Sequence, residues 1–312
     1  MGNLRAVVCP VRRFGAEIEV NAFDGRNRPF NHEYGAMPEG ICEIADVVQT
    51  ACRSRVLIQK WGNNHNSESW ILKPDSSCGI EICSPVLKGL NGIASVCDVV
   101  AKLSASPEVK ADERCSFHVH VDVHDLSEEQ VANVVCWWVK CEYALMGMVP
   151  LRRKRNRYCQ MLSFTDMFAD VYDPMLLPED VISMAGSHKY FSVNTYHMSN
   201  GRRSTVEFRI MDSSACLNPE DARNYIAFLL HFVESTHSLA VLPYTGDPMT
   251  GYVWLKPSQV ISMLGLGDHE ELSLEMGNVR EWLRRRVLEN KPGFRNGVFG
   301  TILREASGDI LT

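Results

Sequence analysis

The stretch SFHVHVDV, residues 116–123, alternates polar and apolar side chains along its length. Successive side chains of a β-strand point to opposite faces of a sheet, so this alternation predicts a strand. His118, His120 and Asp122 then share one face, whereas Phe117 and the three valines share the other. A strand with one apolar face is typical of an antiparallel sheet that packs against a core on one side.

Three further segments show the same alternation and predict strands of the same sheet. They are FGAEIEV at 14–20 with Glu17 and Glu19, GIEIC at 79–83 with Glu81, and TVEFRI at 205–210 with Glu207 and Arg209. Each places acidic side chains opposite its apolar residues. The sequence therefore predicts a sheet face that carries glutamates, histidines and an arginine.

Helical patterns fill the intervals between these strands. Ser127, with Gln130 three residues later, forms a capping box and predicts a helix to about residue 146. Pro219 begins a second predicted helix to about 238, and shorter helices are predicted near 258–264 and 276–290. The fold class is therefore predicted to be α+β. Its sheet is largely antiparallel and curved, with a polar metal-binding face and helices packed on the other face.

Composition and length narrow the class of protein. With 45% hydrophobic and 22% charged residues in 312, the chain has globular composition, and we expect a single domain. Its core is predicted at about 11–240, with a small helical portion at about 250–312. A net charge of −6 argues against non-specific nucleic-acid binding. No run of 18 apolar residues predicts a membrane span.

The cysteines and the N-terminal sequence indicate a compartment. Eleven cysteines include no CxxC pair, and no zinc-binding framework is recognised in their spacing. Buried, reduced thiols are the simplest interpretation. The first residues lack the layout of a secretory signal. A cytoplasmic location is therefore predicted.

The converging acidic residues predict a bound cation. Two carboxylates about 5 Å apart repel by about 3 kcal/mol at an effective dielectric constant of about 20. Either their pKa values rise or a cation lies between them. Hard ions such as Mg²⁺ prefer carboxylate oxygens and substrate phosphates. Because Arg209 lies beside Glu207, it is suited to neutralise phosphoryl charge, and the set matches the electrostatics of phosphoryl transfer.

Four segments, taken in order, resemble one known family. They are FGAEIEV at 14–20, WILKPDSSCGIEICSPVL at 70–87, CSFHVHV at 115–121 and KYFSVNTYHMSNGRRSTVEFR at 189–209. The family is the amidoligases, carboxylate–amine ligases whose fold is related to glutamine synthetase and glutamate–cysteine ligase. The resemblance spans about 11–235 and implies a single catalytic domain with a glutamine synthetase-like fold.

The resemblance also implies roles for individual residues. The metal ligands that it implies are Glu17, Glu19, Glu81, His118 and Glu207. The nucleotide contacts that it implies are His120, Arg209 and Lys73, together with Arg153 and Arg157 of the basic segment 152–157. Arg209 and Glu207 are the catalytic pair expected from it. Trp70 and Asp75 lie in the second matching segment, and Tyr190 and Asn194 resemble positions near the acceptor pocket.

The function implied by the resemblance is ATP-dependent amide-bond formation through an acyl phosphate. Its cofactors are ATP and two or more Mg²⁺ ions, with Mn²⁺ as a substitute. The expected partners are a small-molecule or peptide carboxylate and an amine, with neither membrane nor nucleic acid among them. A zinc-dependent hydrolase that uses the two histidines and the carboxylates is the alternative. A binding module that has lost turnover is a third interpretation.

Overall fold

A computed structural model describes residues 11–22, 40–59, 68–164, 177–201, 203–239, 255–268 and 270–290. These residues group into two compact units. The sheet unit consists of the described residues within Val11–Val121 and Met211–Ala227. The helical unit consists of those within Asp122–Ile210 and Phe228–Thr312. The single-domain organisation stays a prediction, and residues 291–312 of the predicted C-terminal portion lie outside the described residues.

The four predicted strands and the four predicted helices occur close to their expected positions, and further strands and helices lie between them. The strands are β1 (Arg13–Ala22), β2 (Val56–Ile58), β3 (Trp70–Asp75), β4 (Gly79–Cys83), β5 (Leu87–Lys88), β6 (Val109–Lys110), β7 (Phe117–Asp122), β8 (Val193–Asn194) and β9 (Thr205–Phe208). The helices are α1 (Ile41–Cys52), α2 (Gly89–Ser104), α3 (Glu128–Met146), α4 (Leu151–Lys154), α5 (Pro178–Gly186), α6 (Tyr196–Ser199), α7 (Ser214–Leu217), α8 (Pro219–Thr236), α9 (Pro257–Met263) and α10 (Leu274–Glu289).

The strands of the sheet unit confirm a mostly antiparallel sheet. Their order is β2-β3-β4-β1-β7, and the short strands β5 and β6 also pair with β1. β1 runs antiparallel to all four of its partners, and β3 runs antiparallel to β4. β2 and β3 are parallel. Strand β1, which carries Glu17 and Glu19, thus lies between the strands that carry Glu81 and His118.

Helix α2 covers the apolar face of β1, as the alternation predicts. Phe14, Ile18 and Val20 are 2% exposed or less. Gly92 of α2 approaches this face so closely that a Cβ atom there would lie 3.2 Å from Cε1 of Phe14. A side chain at this position would therefore collide with Leu87, whose Cβ atom would be 2.9 Å away, and would crowd the Phe14 ring. The polar face of β1 is the opposite one.

The helical unit is organised around α3. The predicted capping box is present: Gln130 N–H donates to Ser127 Oγ at 3.3 Å, and Ser127 N–H donates to Gln130 Oε1 at 3.0 Å. Trp138 of α3 is buried, with its ring 4.6 Å from Phe208 and 5.3 Å from Phe232. β8 and β9 form an antiparallel pair in which Asn194 lies opposite Glu207. Because β9 ends at Phe208, Arg209 follows the strand rather than belonging to it.

None of the helices in the described part of the chain has both the length and the apolar character that crossing a membrane requires.

Candidate active site

Strand register places the polar side chains of three strands in the sheet unit together. Glu19 of β1 lies opposite Glu81 of β4, and Glu17 lies opposite His118 of β7. Residues that pair across adjacent strands have Cβ atoms about 5 Å apart, so such pairs are immediate neighbours. Glu19, Glu81, His118 and His120 are each less than 10% exposed. This face is therefore buried, in contrast to the water-exposed polar face of an ordinary amphipathic sheet.

Glu17 lies between the two histidines of β7. Its Oε2 atom is 3.4 Å from Nδ1 of His118, and its Oε1 atom is 3.2 Å from Nε2 of His120. His118 also faces Glu19, with 3.9 Å between Nε2 and Oε1. The two histidines and two glutamates thus present nitrogen and oxygen atoms to one another. Either protons or a cation must lie between atoms of this kind.

The environment shifts the pKa values of the glutamates in opposite directions. Burial opposes ionisation of Glu17, but the neighbouring His120, His118 and Lys73 outweigh it and hold the pKa of Glu17 well below its usual value. Burial and the charge of Glu17 together raise the pKa of Glu81, although Lys73 opposes this. Such divergent pKa values are typical of functional sites.

Lys73 of β3 forms an ion pair on the same face. Its Nζ atom lies 2.7 Å from Oε1 of Glu81. The pKa of Lys73 is raised because the carboxylate of Glu81 outweighs burial of the amine. Cys83 donates its thiol hydrogen to the same Glu81 oxygen at 3.0 Å. The predicted nucleotide contact of Lys73 stays a prediction, and in the described contacts its charge balances Glu81.

A second group of ligand atoms lies at the far end of this face. Ser116 donates its hydroxyl to Oε2 of Glu19 at 2.6 Å. Glu19, Asp75 and Cys78 each offer one ligand atom, and these atoms all lie within 4.8 Å of one another. Ser116 and Cys78 are absent from the predicted site. The alternation that predicts β4 begins at Gly79, so it gives no signal for the turn that carries Cys78.

The helical unit contains Glu207 and Arg209, which are separated by one residue and are called the ExR pair. Arg209 donates from Nη1 to Oε1 of Glu207, and Nδ2 of Asn194 donates to Oε2 of Glu207 at 2.9 Å. Glu207 is 4% exposed and its partner Arg209 carries a side chain that is 13% exposed. The guanidinium also contacts the carbonyl oxygen of Tyr158 at 3.5 Å. Strand pairing thus places Asn194, which the resemblance assigned to the acceptor region, directly on Glu207.

The basic segment divides into an inward and an outward arginine. Arg153 is 3% exposed and donates to the backbone carbonyls of Ile210, at 3.2 Å from Nε, and of Arg209. Arg157 is exposed and lies over the ring of Tyr158, 4.8 Å from its centroid. The ring of Tyr158 in turn packs edge-on against Tyr190 at 5.0 Å. Phosphate contacts by Arg153 and Arg157 stay predictions, and in the structure Arg153 fixes the backbone that carries Arg209.

Comparisons with known proteins place the chain in a family. The comparison with curated proteins returned no match. A bifunctional glutathione synthetase from Pasteurella multocida is structurally similar at a TM-score of 0.41 and 12% sequence identity. The aligned region covers 96% of this chain and 49% of that protein, so the chain spans about half of its length. The family model described as "Putative amidoligase enzyme" matches residues 57–233, more than half of the chain. The chain therefore belongs to the amidoligase family that this model describes.

Proposed function

We propose that this protein is an ATP-dependent carboxylate–amine ligase that forms its amide through an acyl phosphate. The observation that carries the proposal is the buried face of the sheet unit, where the Glu17 carboxylate contacts two histidines beside Glu19 and Glu81. A water-excluded group of carboxylates is suited to hold the cations that accompany ATP. Family membership supports the amide-bond-forming half of the proposal.

The donor atoms fit a hard divalent ion. In octahedral coordination with bonds of about 2.1 Å, neighbouring ligand atoms lie about 3 Å apart. The contact of Glu17 with His118, 3.4 Å, is close to this spacing. Mg²⁺, when bound, would supply charge stabilisation for the phosphoryl oxygens. We propose that two or more Mg²⁺ ions bind here and that their ligands are the set expected from the resemblance, namely Glu17, Glu19, Glu81, His118 and Glu207.

The first chemical step follows from this assignment. A carboxylate oxygen of the first substrate attacks the γ-phosphorus of ATP, the bond to the β–γ bridging oxygen breaks, and ADP leaves. Arg209 can grip two phosphoryl oxygens with its planar guanidinium. In the structure this guanidinium rests on Glu207 and on the carbonyl of Tyr158, which orients it in advance. We therefore propose that Arg209 stabilises the charge that develops during transfer.

The second step completes the amide. The amine nitrogen attacks the acyl carbon, the carbon–oxygen bond to phosphate breaks, and the nitrogen loses a proton to solvent. Formation of the acyl phosphate first makes phosphate, rather than hydroxide, the leaving group.

We also propose that the catalytic fold is of the glutamine synthetase type. The mostly antiparallel sheet, with α2 on its apolar face and a buried polar face opposite, supports this.

The experiment that tests the proposal measures nucleotide products during ligation. Mixtures of carboxylates and amines are screened with Mg-ATP for ADP release that requires both partners. For a productive pair, ¹⁸O in the substrate carboxylate should appear in the released phosphate, because one of its oxygens forms the bond to phosphorus. Label recovered in AMP would mean an adenylate intermediate and would contradict the proposed route.

A zinc hydrolase is the second candidate, because the site contains imidazole nitrogens as well as carboxylates. Glu17, Glu81 and the thiol of Cys83 also lie close enough to share an ion. The same screen separates the two functions. A hydrolase would cleave amides without ATP and would be inhibited by chelators that prefer zinc. The ligase consumes ATP for each amide that it forms.

A further inference from the structure

We propose that the sheet unit contains a separate site for a thiophilic divalent ion such as Zn²⁺, formed by Cys78, Asp75 and Glu19. One ligand atom from each residue lies within 4.8 Å of the other two. Cys78 is 3% exposed and belongs to none of the ligand sets expected for Mg²⁺. Ion binding at this site does not depend on the proposed ligase activity. The expected effect of the bound ion on ligation does rest on that proposed function.

The turn between β3 and β4 holds two of these ligands against each other. Asp75 ends β3, and its Oδ1 atom accepts the backbone N–H of Ser77 at 2.7 Å and of Cys78 at 3.1 Å. Gly79 follows with φ of 119°, a conformation that side-chain-bearing residues rarely adopt. The turn therefore has a defined geometry, and little conformational entropy remains to be lost when an ion binds.

The spacing of the Cys78 and Asp75 ligand atoms matches that of two ligands of a tetrahedral zinc ion. The Cys78 sulfur lies 3.5 Å from Oδ1 of Asp75 and donates its hydrogen to that oxygen. In a tetrahedral site with a zinc–sulfur bond of about 2.3 Å and a zinc–oxygen bond of about 2.1 Å, the same two atoms are about 3.5 Å apart. An ion can therefore replace the thiol hydrogen, which leaves as a proton to solvent, while the sulfur and Oδ1 keep their present separation.

The thiol decides which ions this site selects. Sulfur ligands favour Zn²⁺ over Mg²⁺, whereas carboxylates alone favour hard ions. A second thiol, that of Cys115, interacts with Cys78. Cys115 is 1% exposed and accepts a hydrogen bond from Nδ2 of Asn21 at 3.4 Å. The surroundings are thus buried and sulfur-rich, which suits an ion softer than magnesium.

Occupancy should inhibit the enzyme, because Glu19 is also a proposed magnesium ligand. An ion held by Cys78 and Asp75 would draw the Glu19 carboxylate away from Mg²⁺. This consequence rests on the proposed function. It predicts that micromolar zinc inhibits ligation in the presence of millimolar magnesium.

Cobalt titration of the full chain tests the site directly. Co²⁺ that binds a thiolate gives a near-ultraviolet sulfur-to-cobalt charge-transfer band, which oxygen-only sites lack. We expect this band in the wild type and in two control variants, Cys97→Ser, which removes a buried thiol of α2, and Cys83→Ser, which removes the thiol beside Glu17 and Glu81. We expect at least a tenfold weaker band in Cys78→Ser. Absence of the band in the wild type, or an undiminished band in Cys78→Ser, would overturn the proposal.

A measurement without variants covers the case in which Cys78→Ser does not fold. ¹¹³Cd bound to the wild-type chain should give an NMR shift characteristic of mixed sulfur and oxygen ligands. A shift typical of oxygen ligands alone would contradict the site. In a ligation assay, Cys78→Ser should tolerate at least tenfold more zinc than Cys97→Ser. If the spectra show the site but no ligation is found with any substrate pair, the proposed function fails and the metal site stands.

Discussion

Glu17 and Glu207 are both glutamates on strands, and the two units of the protein balance their charges differently. In the helical unit, Glu207 is bonded to Arg209 and to the amide of Asn194. In the sheet unit, Glu17 faces two histidines whose charge depends on pH, and the nearby Lys73 is paired with Glu81. The first arrangement carries its own permanent counter-charge.

This difference indicates where an external cation is needed. A buried carboxylate requires compensation, because its desolvation costs several kcal/mol. Arg209 supplies it permanently for Glu207, since a guanidinium stays protonated at any physiological pH. Neutral histidines supply a compensating positive charge to Glu17 only when they bind a proton or a metal ion. The sheet unit is therefore the part of the molecule where we expect metal binding to have its largest effect.

The largest expected effect follows from Glu17→Ala. Removing the carboxylate that contacts both histidines should weaken metal-dependent ATP binding at least a hundredfold while the chain still folds. Glu81→Ala should act in the same direction. The measurement is Mg-ATP affinity by calorimetry, with circular dichroism as the folding check. Glu43→Ala, an exposed glutamate of α1, is the matched control. Wild-type Mg-ATP affinity in both variants would exclude this face as the site.

The next effect concerns Arg209→Lys in the helical unit. A lysine keeps the charge but loses the planar fork that grips two oxygens. We expect kcat to fall about a hundredfold or more, with a much smaller rise in the KM for ATP. The control is Arg284→Lys, because Arg284 is an arginine paired with a surface acid, Asp268. Near-wild-type turnover in Arg209→Lys would mean that the ExR pair is only structural.

Arg153→Met separates the predicted and the observed role of that arginine. Its guanidinium bonds to the carbonyls of Ile210 and Arg209, so its loss should lower the free energy of unfolding by about 2–4 kcal/mol. Urea denaturation measures this change. Arg152→Met, at an exposed position in the same helix, should change stability by less than about 0.5 kcal/mol. Unchanged stability with weakened ATP binding in Arg153→Met would favour the phosphate contact instead.

The smallest effect is a pH dependence that arises from Glu17. Because its pKa is lower in the folded than in the unfolded state, ionised Glu17 stabilises the fold above the unfolded-state pKa of about 4.3. This contribution is lost as the pH falls through the folded-state value. In the presence of a chelator that removes divalent ions, the free energy of unfolding of the wild type should therefore fall more than that of Glu17→Gln below about pH 4.3. Parallel stability curves for the two proteins would contradict the assigned shift.

Local alternation was enough to predict the strands that form the polar face. β1, β4 and β7 carry their glutamates and histidines on the predicted face, because the period of two is a property of any strand. The Lys73–Glu81 ion pair could not be predicted in this way, since it depends on the register between β3 and β4. The predicted strand at 205–210 was too long, because the backbone after Phe208 is bonded to Arg153.

Buried polar contacts between distant segments were equally invisible in the sequence. Glu142 lies within the apolar helix α3 and is fully buried, where it accepts the backbone N–H groups of Leu162 and Ser163. No periodic signal marks such a residue, because its partners come from a separate turn. For Cys78, likewise, the sequence alone predicts only a buried, reduced thiol. Only the fold of the turn shows that its sulfur lies beside Asp75 and Glu19.

The proposed metal site on the buried face of the sheet unit is tested most directly by a count of the divalent ions that the protein binds together with nucleotide. Mn²⁺ binding to the full chain is measured by electron paramagnetic resonance, with a non-hydrolysable ATP analogue present. We expect two or more Mn²⁺ ions per chain in the wild type and at least one fewer in Glu17→Ala. The contradicting result is a total of one or no Mn²⁺ ion per chain, or the same count in Glu17→Ala as in the wild type.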